Sequence, residues 1–240
     1  MTSTDPAATL PEQRSYSETG VSGGLSDVRL AENPEPRCAC LLLLDTSASM
    51  NGEPIRELNN GLLTFKEELM SDELASKRVE VAVLTFGPPQ LVTDFTEATS
   101  FQPPTLQASG DTPMGAAVAM GLDRLQGRKR TYDANGITRF RPWVFLITDG
   151  APTDLWGTAA QLVRDGEARG AFSFYAVGVK GANFGILNQI APPNRPAAQL
   201  DGLKFRELFS WLSKSMHAVS RSTPGATVNL STPGWLTTQS

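Results

Sequence analysis

The chain has 240 residues, with 21 Lys+Arg against 25 Asp+Glu and a formal net charge of −4. That length suits one large core with tails, and the mild acidity argues against a general binder of nucleic acid or anionic membrane. No apolar run approaches the roughly 18 residues of a membrane span, and Met1–Pro6 has neither the basic nor the apolar region of a secretory leader, so a cytoplasmic protein is expected.

Residues 1–35 are rich in Ser, Thr, Pro, Glu and Gly without a sustained period, which predicts a flexible tail before a domain over 36–221. Cys40–Leu44 opens the domain with four consecutive leucines, the pattern of a strand buried on both faces of a parallel sheet. Cys38 and Cys40 are the only cysteines; two thiols make a poor zinc site, so reduced, inert side chains are expected. Pro54 suits a first helical turn, and Ile55, Leu58, Leu62, Phe65 and Leu69 recur at helical steps. Val79–Phe86 reads as a strand, and Gly87-Pro88-Pro89 turns it back into Gln90–Phe95 as an antiparallel edge hairpin. Thr112 is a natural cap for a helix over Pro113–Leu125. Trp143–Thr148 is a second wholly apolar strand, followed by a helix over about Asp154–Arg169 and a strand over Phe172–Val179. A short strand at Ala198–Leu200 and a stripe from Phe205 to Val219 close the domain; 222–240 is a tail with a candidate edge strand in Ala226–Leu230. Alternating strands and helices predict an α/β fold with helices on both faces of a mostly parallel sheet.

Three loops fall at the carboxyl edge of that sheet, where ligands bind in such folds. They carry Asp45, Ser47 and Ser49; then Ser109-Gly110-Asp111-Thr112; then Thr148-Asp149-Gly150. Three hydroxyls and two carboxylates are hard oxygen donors, suited to Mg²⁺ or Mn²⁺. The helix starting at Pro113 aims its positive end at the same place. Asp111 and Asp154 read as capping or solvated acids. The six basic residues of Arg124–Arg141 read as a solvated connector, with an acidic or phosphorylated partner as the sharper alternative. His217, the single histidine, has no catalytic partner beside it in sequence, and Trp235 is an isolated aromatic in the tail.

Asp45-Thr46-Ser47-Ala48-Ser49 with Thr112 and Asp149 resembles the metal-ion-dependent adhesion site of von Willebrand factor A domains. Gly52-Glu53-Pro54-Ile55, Phe101-Gln102-Pro103-Pro104, Ser109 to Gly115 and Arg141 to Gly150 are similar to the TerY-like branch, bacterial proteins associated with tellurium-resistance and stress operons. The resemblance implies a Rossmann-like three-layer α/β/α sandwich with one antiparallel edge strand. It implies direct ligation by Ser47 and Ser49, and by Thr112 when a ligand is engaged, with Asp45 and Asp149 acting mostly through water. It also implies a protein partner that offers an Asp or Glu to the metal, including kinase- or phosphatase-type modules and other tellurium-resistance proteins.

Two other classes compete with this adaptor reading. A subunit of a MoxR- or chelatase-type AAA+ machine would need a separate motor, since no Gly-Lys-Ser/Thr phosphate loop is present. A metal-dependent phosphohydrolase or a phospho-accepting receiver also ends an apolar strand in Asp. The first wants a second Asp where Ser47 stands, and the second wants an acidic pair and a late Lys that the chain lacks. The expectation is therefore a non-enzyme.

Overall fold

The computed structural model describes residues 33–226, Val228 and residues 236–237. Seven strands form one sheet in the order β3-β2-β1-β4-β5-β6-β7. They are β1 (Cys38–Asp45), β2 (Val79–Phe86), β3 (Pro89–Glu97), β4 (Trp143–Thr148), β5 (Ser173–Gly178), β6 (Ala198–Leu200) and β7 (Leu236–Thr237). The helices are α1 (Glu53–Met70), α2 (Glu73–Arg78), α3 (Met114–Ala134), α4 (Gly157–Ala168), α5 (Phe184–Ile190) and α6 (Phe205–Arg221). β1 pairs in parallel with β2 and β4, β4 with β5, and β5 with β6. β3 is the expected antiparallel edge, and β7 adds a two-residue antiparallel pair on the other side.

Period-two alternation splits the leucine run between two cores. Leu42 and Leu44, with both cysteines, face α1 and α6; Leu41 and Leu43 face α3, α4 and α5. The sheet is thus covered on both sides, as a parallel sheet requires, and every residue of β1 is buried. Strand order reverses at β1, because β2 lies on one side and β4 on the other. The crevice beyond their carboxyl ends is the switch point at which α/β sheets bind ligands.

At the opposite end of the strands a buried ionic group ties the layers together. Glu80 accepts from Arg128 Nε and Nη2, both at 2.7 Å, and from the Tyr132 hydroxyl at 2.5 Å. Arg37 Nε lies 3.3 Å from the same carboxylate without hydrogen-bond alignment. This group corrects the reading of Arg124–Arg141 as a solvated connector. Most of the segment is the second half of α3, and Arg124, Arg128, Arg139 and Arg141 pair with Asp94, Glu80, Asp133 and Glu167. α3 begins at Met114 and runs nine residues past Leu125, and α4 starts at Gly157 rather than near Asp154.

Of the tail expected over 1–35, residues 1–32 lie outside the described residues, and the end at 33–35 is fastened: Asn33 donates to Lys77 O and Glu97, and Glu35 accepts from Arg78. So do Trp235 and, within the candidate strand 226–230, Thr227, Asn229 and Leu230; the described edge strand is β7. Among the described residues no helix is long and apolar enough to cross a membrane.

Candidate metal centre

Asp45 ends β1 with no exposed surface. Its Oδ1 accepts the Ser47 N–H at 2.8 Å, an Asx turn that bends the chain out of the strand. Its Oδ2 accepts the Thr148 hydroxyl at 2.5 Å from the end of β4. Burial pushes the Asp45 carboxyl above its usual value; the bonds from Ser47 and Thr148 oppose that shift, and the charge of Asp149 adds to it. A short 3₁₀ turn, Ala48–Met50, follows, anchored by the fully buried Met50. It holds Ser47 Oγ and Ser49 Oγ 3.0 Å apart. Ser49 Oγ donates to Asp149 Oδ1 at 2.7 Å, joining the first loop to the third.

The second loop is tied to the first through backbone. Ala48 N–H donates to Gly110 O at 3.0 Å, and Ser109 N–H to Thr46 O at 2.7 Å. Gly110 takes φ +72°, and a Cβ there would sit 2.5 Å from Gly87 O, so only glycine lets these strands of loop meet. Thr112 is then fixed to the third loop: its N–H donates to Thr153 Oγ1 at 3.1 Å, and Thr153 N–H returns to Thr112 O at 2.9 Å. A methyl placed on Gly150 would lie 3.6 Å from Thr112 Oγ1 and 4.0 Å from Ser49 Oγ, so both oxygens border one small space beside Asp149.

All five expected residues therefore converge. They fit a hard cation. The Ser47–Ser49 separation of 3.0 Å matches the oxygen–oxygen edge of about 3 Å that bonds near 2.1 Å give an octahedron. Among the described residues no group of three or more His, Cys, Asp or Glu could hold a metal ion; the donors that meet here are three hydroxyls and two carboxylates, unlike a zinc centre of thiolates and imidazoles.

Three further residues support the site: sequence reading gave Thr148 and Thr153 no role in it, while Asp154, expected as a capping or solvated acid, does cap a helix. Thr148 bridges, accepting Gly150 N–H at 3.1 Å while donating to Asp45. Thr153 fixes Thr112. Asp154 receives Gly115 N–H on Oδ1 at 2.9 Å and Ala116 N–H on Oδ2 at 2.7 Å. That last pair corrects the expected role of the helix end: Asp154 already occupies two N–H groups of α3's first turn, so this terminus is not a free anion site. Hydroxyl-then-acid order could have flagged Thr148 in Thr148-Asp149; no spacing rule links Asp154 to a turn 39 residues away.

His217 does have a serine and an aspartate beside it. Its Nε2 is 3.3 Å from Ser213 Oγ and its Nδ1 is 4.0 Å from Asp72 Oδ2. Ser213 has no exposed surface, Nε2 also meets the Glu68 carbonyl at 3.1 Å, and Arg221 holds Asp72 at 2.5 Å. No substrate reaches that hydroxyl in this packing.

No family model matches the sequence, and no curated protein matches it. Solved structures do. Proximal thread matrix protein 1 from the mussel byssus is 17% identical, with 78% of this chain and 48% of that chain covered and a TM-score of 0.52. The pilus adhesin SpaC from Lactobacillus rhamnosus GG is 14% identical, with 76% and 30% covered and a TM-score of 0.60. A further structure of the mussel protein, described as having a zinc-occupied MIDAS motif, is 16% identical with a TM-score of 0.50. The chain thus spans less than half the length of these matches. What they share with it is the three-layer von Willebrand factor A fold.

Proposed function

We propose that this von Willebrand factor A domain is a metal-dependent protein-interaction module rather than an enzyme. The observation that carries the reading is the meeting of Ser47, Ser49, Thr112, Asp45 and Asp149 around one small space at the switch point of the sheet. Those five residues would hold Mg²⁺ or Mn²⁺. With mainly neutral hydroxyls around it, such a cation keeps much of its charge and offers a further position to an Asp or Glu from a partner. Asp45 and Thr148 orient the first loop, and Gly110 and Thr153 keep the second in register with it. The zinc-occupied site described for the mussel protein, which has the same fold, supports a cation here. The buried Ser213 and the absence of a phosphate loop favour binding over turnover.

The finer reading is an adaptor in a bacterial tellurium-resistance or stress-response system, working in the cytoplasm beside kinase- or phosphatase-type proteins. Its support is the motif resemblance and the two free, buried cysteines, which fit a reducing compartment.

Calorimetric titration with Mn²⁺ and Mg²⁺ tests the metal reading. One ion per chain is expected, with binding abolished by Asp45→Ala and weakened by Ser47→Ala or Ser49→Ala. An Asp45→Ala titration like that of the wild type would overturn it.

A further inference from the structure

Leu155 is 97% exposed, while the next most exposed large apolar residue described, Leu63, is 52% exposed. A leucine almost wholly in water is unusual on a segment held at both ends. On one side Asp154 is fastened by Gly115 N–H and Ala116 N–H, and Thr153 by its two hydrogen bonds with Thr112. On the other, Trp156 packs against the α3–α4 core. Gly115 makes this seating possible, since a Cβ there would lie 2.6 Å from Leu155 O and 2.9 Å from Trp156 Cα. The loop is therefore clamped with its backbone inward and the Leu155 side chain outward.

The clamp also fixes where the side chain stands. Thr153, within about 7 Å of chain from Leu155, is hydrogen-bonded to Thr112, so Leu155 stands one such step beyond the partner of a candidate metal ligand. On the metal-site reading above, we infer that Leu155 is a specificity-determining contact: the partner is a protein segment carrying an Asp or Glu for the metal and an apolar side chain that covers Leu155. At about 3.3 Å per extended residue, that side chain falls two to four positions from the acid. Because the backbone under Leu155 is already clamped, contact there orders no loop, and only the leucine's own rotamer freedom is lost.

The test is a selection of random linear peptides on the immobilised full chain, in Mn²⁺ and in EDTA, followed by binding of the selected synthetic peptides. The wild type is expected to enrich chelator-sensitive peptides with an acid and an apolar residue at a fixed spacing of two to four. Leu155→Ser, which touches no ligand, is expected to titrate Mn²⁺ normally, enrich the acid without the apolar position, and bind wild-type-selected peptides at least tenfold more weakly. Enrichment of the acid alone on the wild type, or Leu155→Ser affinity within twofold, overturns the role of Leu155 and leaves the metal reading standing. No chelator-sensitive acidic peptide at all removes the metal reading and this inference with it.

Discussion

Thr148 donates its hydroxyl to Asp45 across the join between β4 and β1, Oγ1 to Oδ2 at 2.5 Å, with neither residue exposed. The register places them opposite one another, one step beyond the Leu44–Ile147 pair. Central parallel pairing thus carries a hydroxyl to a carboxylate that burial disfavours.

Thr148→Val removes that donor at nearly constant volume and leaves Asp45 Oδ2 and Gly150 N–H without their partner. A loss of about 1–3 kcal/mol in stability is expected from the unsatisfied groups. Metal affinity should fall by roughly 10- to 100-fold, as when an outer partner of a ligand is lost. Thr148→Ser should restore both. Denaturant titration and calorimetry on the two variants check this; a Val variant with unchanged affinity would show that Asp45 is positioned by Ser47 alone.

Metal should report itself through stability. A ligand that binds only the folded chain at a hundred times its Kd adds about 2.7 kcal/mol. For a domain of this size that corresponds to a rise in Tm of roughly 5–10 °C. Mg²⁺ or Mn²⁺ at that level should give such a rise, chelator should reverse it, and Asp45→Ala should remove it. Differential scanning calorimetry with Ca²⁺-free buffers decides the matter.

The ionic group at the far end of the sheet should behave in the opposite way. Glu80→Gln leaves Arg128 buried without its countercharge, while Arg37 keeps Glu97, and breaking such a buried pair costs about 3–5 kcal/mol. Adding Arg128→Met should cost less than the sum of the single changes, since both break one network. Mn²⁺ affinity should stay within twofold, because the candidate metal residues lie at the other end of the strands. A large loss of affinity in Glu80→Gln would reveal coupling along α3.

What the residues disclosed in advance follows from where periodicity exists. β2, β4 and β6 have the bounds their apolar runs suggested, and Asp45-Thr46-Ser47-Ala48-Ser49 announced its loop because the donors are local. The end of α3 was hidden because its buried residues beyond Leu125 are Arg128 and Tyr132, satisfied by Glu80 rather than by an apolar stripe. α2 is only six residues long, too short for a period, and its signal is the cap Asp72, which accepts Ala75 N–H at 2.8 Å. Asp154 and Thr153 act on residues about forty positions away, and no local pattern encodes that pairing.

Burial pushes the Cys38 thiol up to about 12 and Cys40 well above its ordinary value. In the unfolded chain the thiols ionise near pH 9, whereas the folded chain keeps its protons. Above that pH the folded state holds more protons than the unfolded one, so stability falls as pH rises from about 9 towards 12. Each thiol contributes about 1.4 kcal/mol per pH unit in that window. Chemical denaturation from pH 8 to 10.5 should show Cys38→Ala losing less per pH unit than the wild type. Parallel slopes would mean that the thiolate is tolerated in the core. Alkylation at pH 8 should be slow until denaturant is added.

The last prediction concerns a residue with no donor atom. Gly115 lies in the first turn of α3, where any Cβ would meet backbone, Leu155 O at 2.6 Å and Trp156 Cα at 2.9 Å. Backbone cannot rotate aside as a side chain can, so Gly115→Ala must push the 153–156 loop away from α3. Asp154 then loses its reach to Gly115 N–H and Ala116 N–H, and the two hydrogen bonds between Thr112 and Thr153 are stretched. Thr112 is the candidate metal ligand that this pairing positions. Gly115→Ala should therefore lower Mn²⁺ affinity even though alanine has the better helix propensity. Asp154→Asn, which removes one charge-assisted acceptor without a clash, should lower it less. If the clash is relieved by a shift of the loop alone, Thr112 keeps its place and affinity holds; calorimetric titration of both variants beside their Tm values separates the two outcomes.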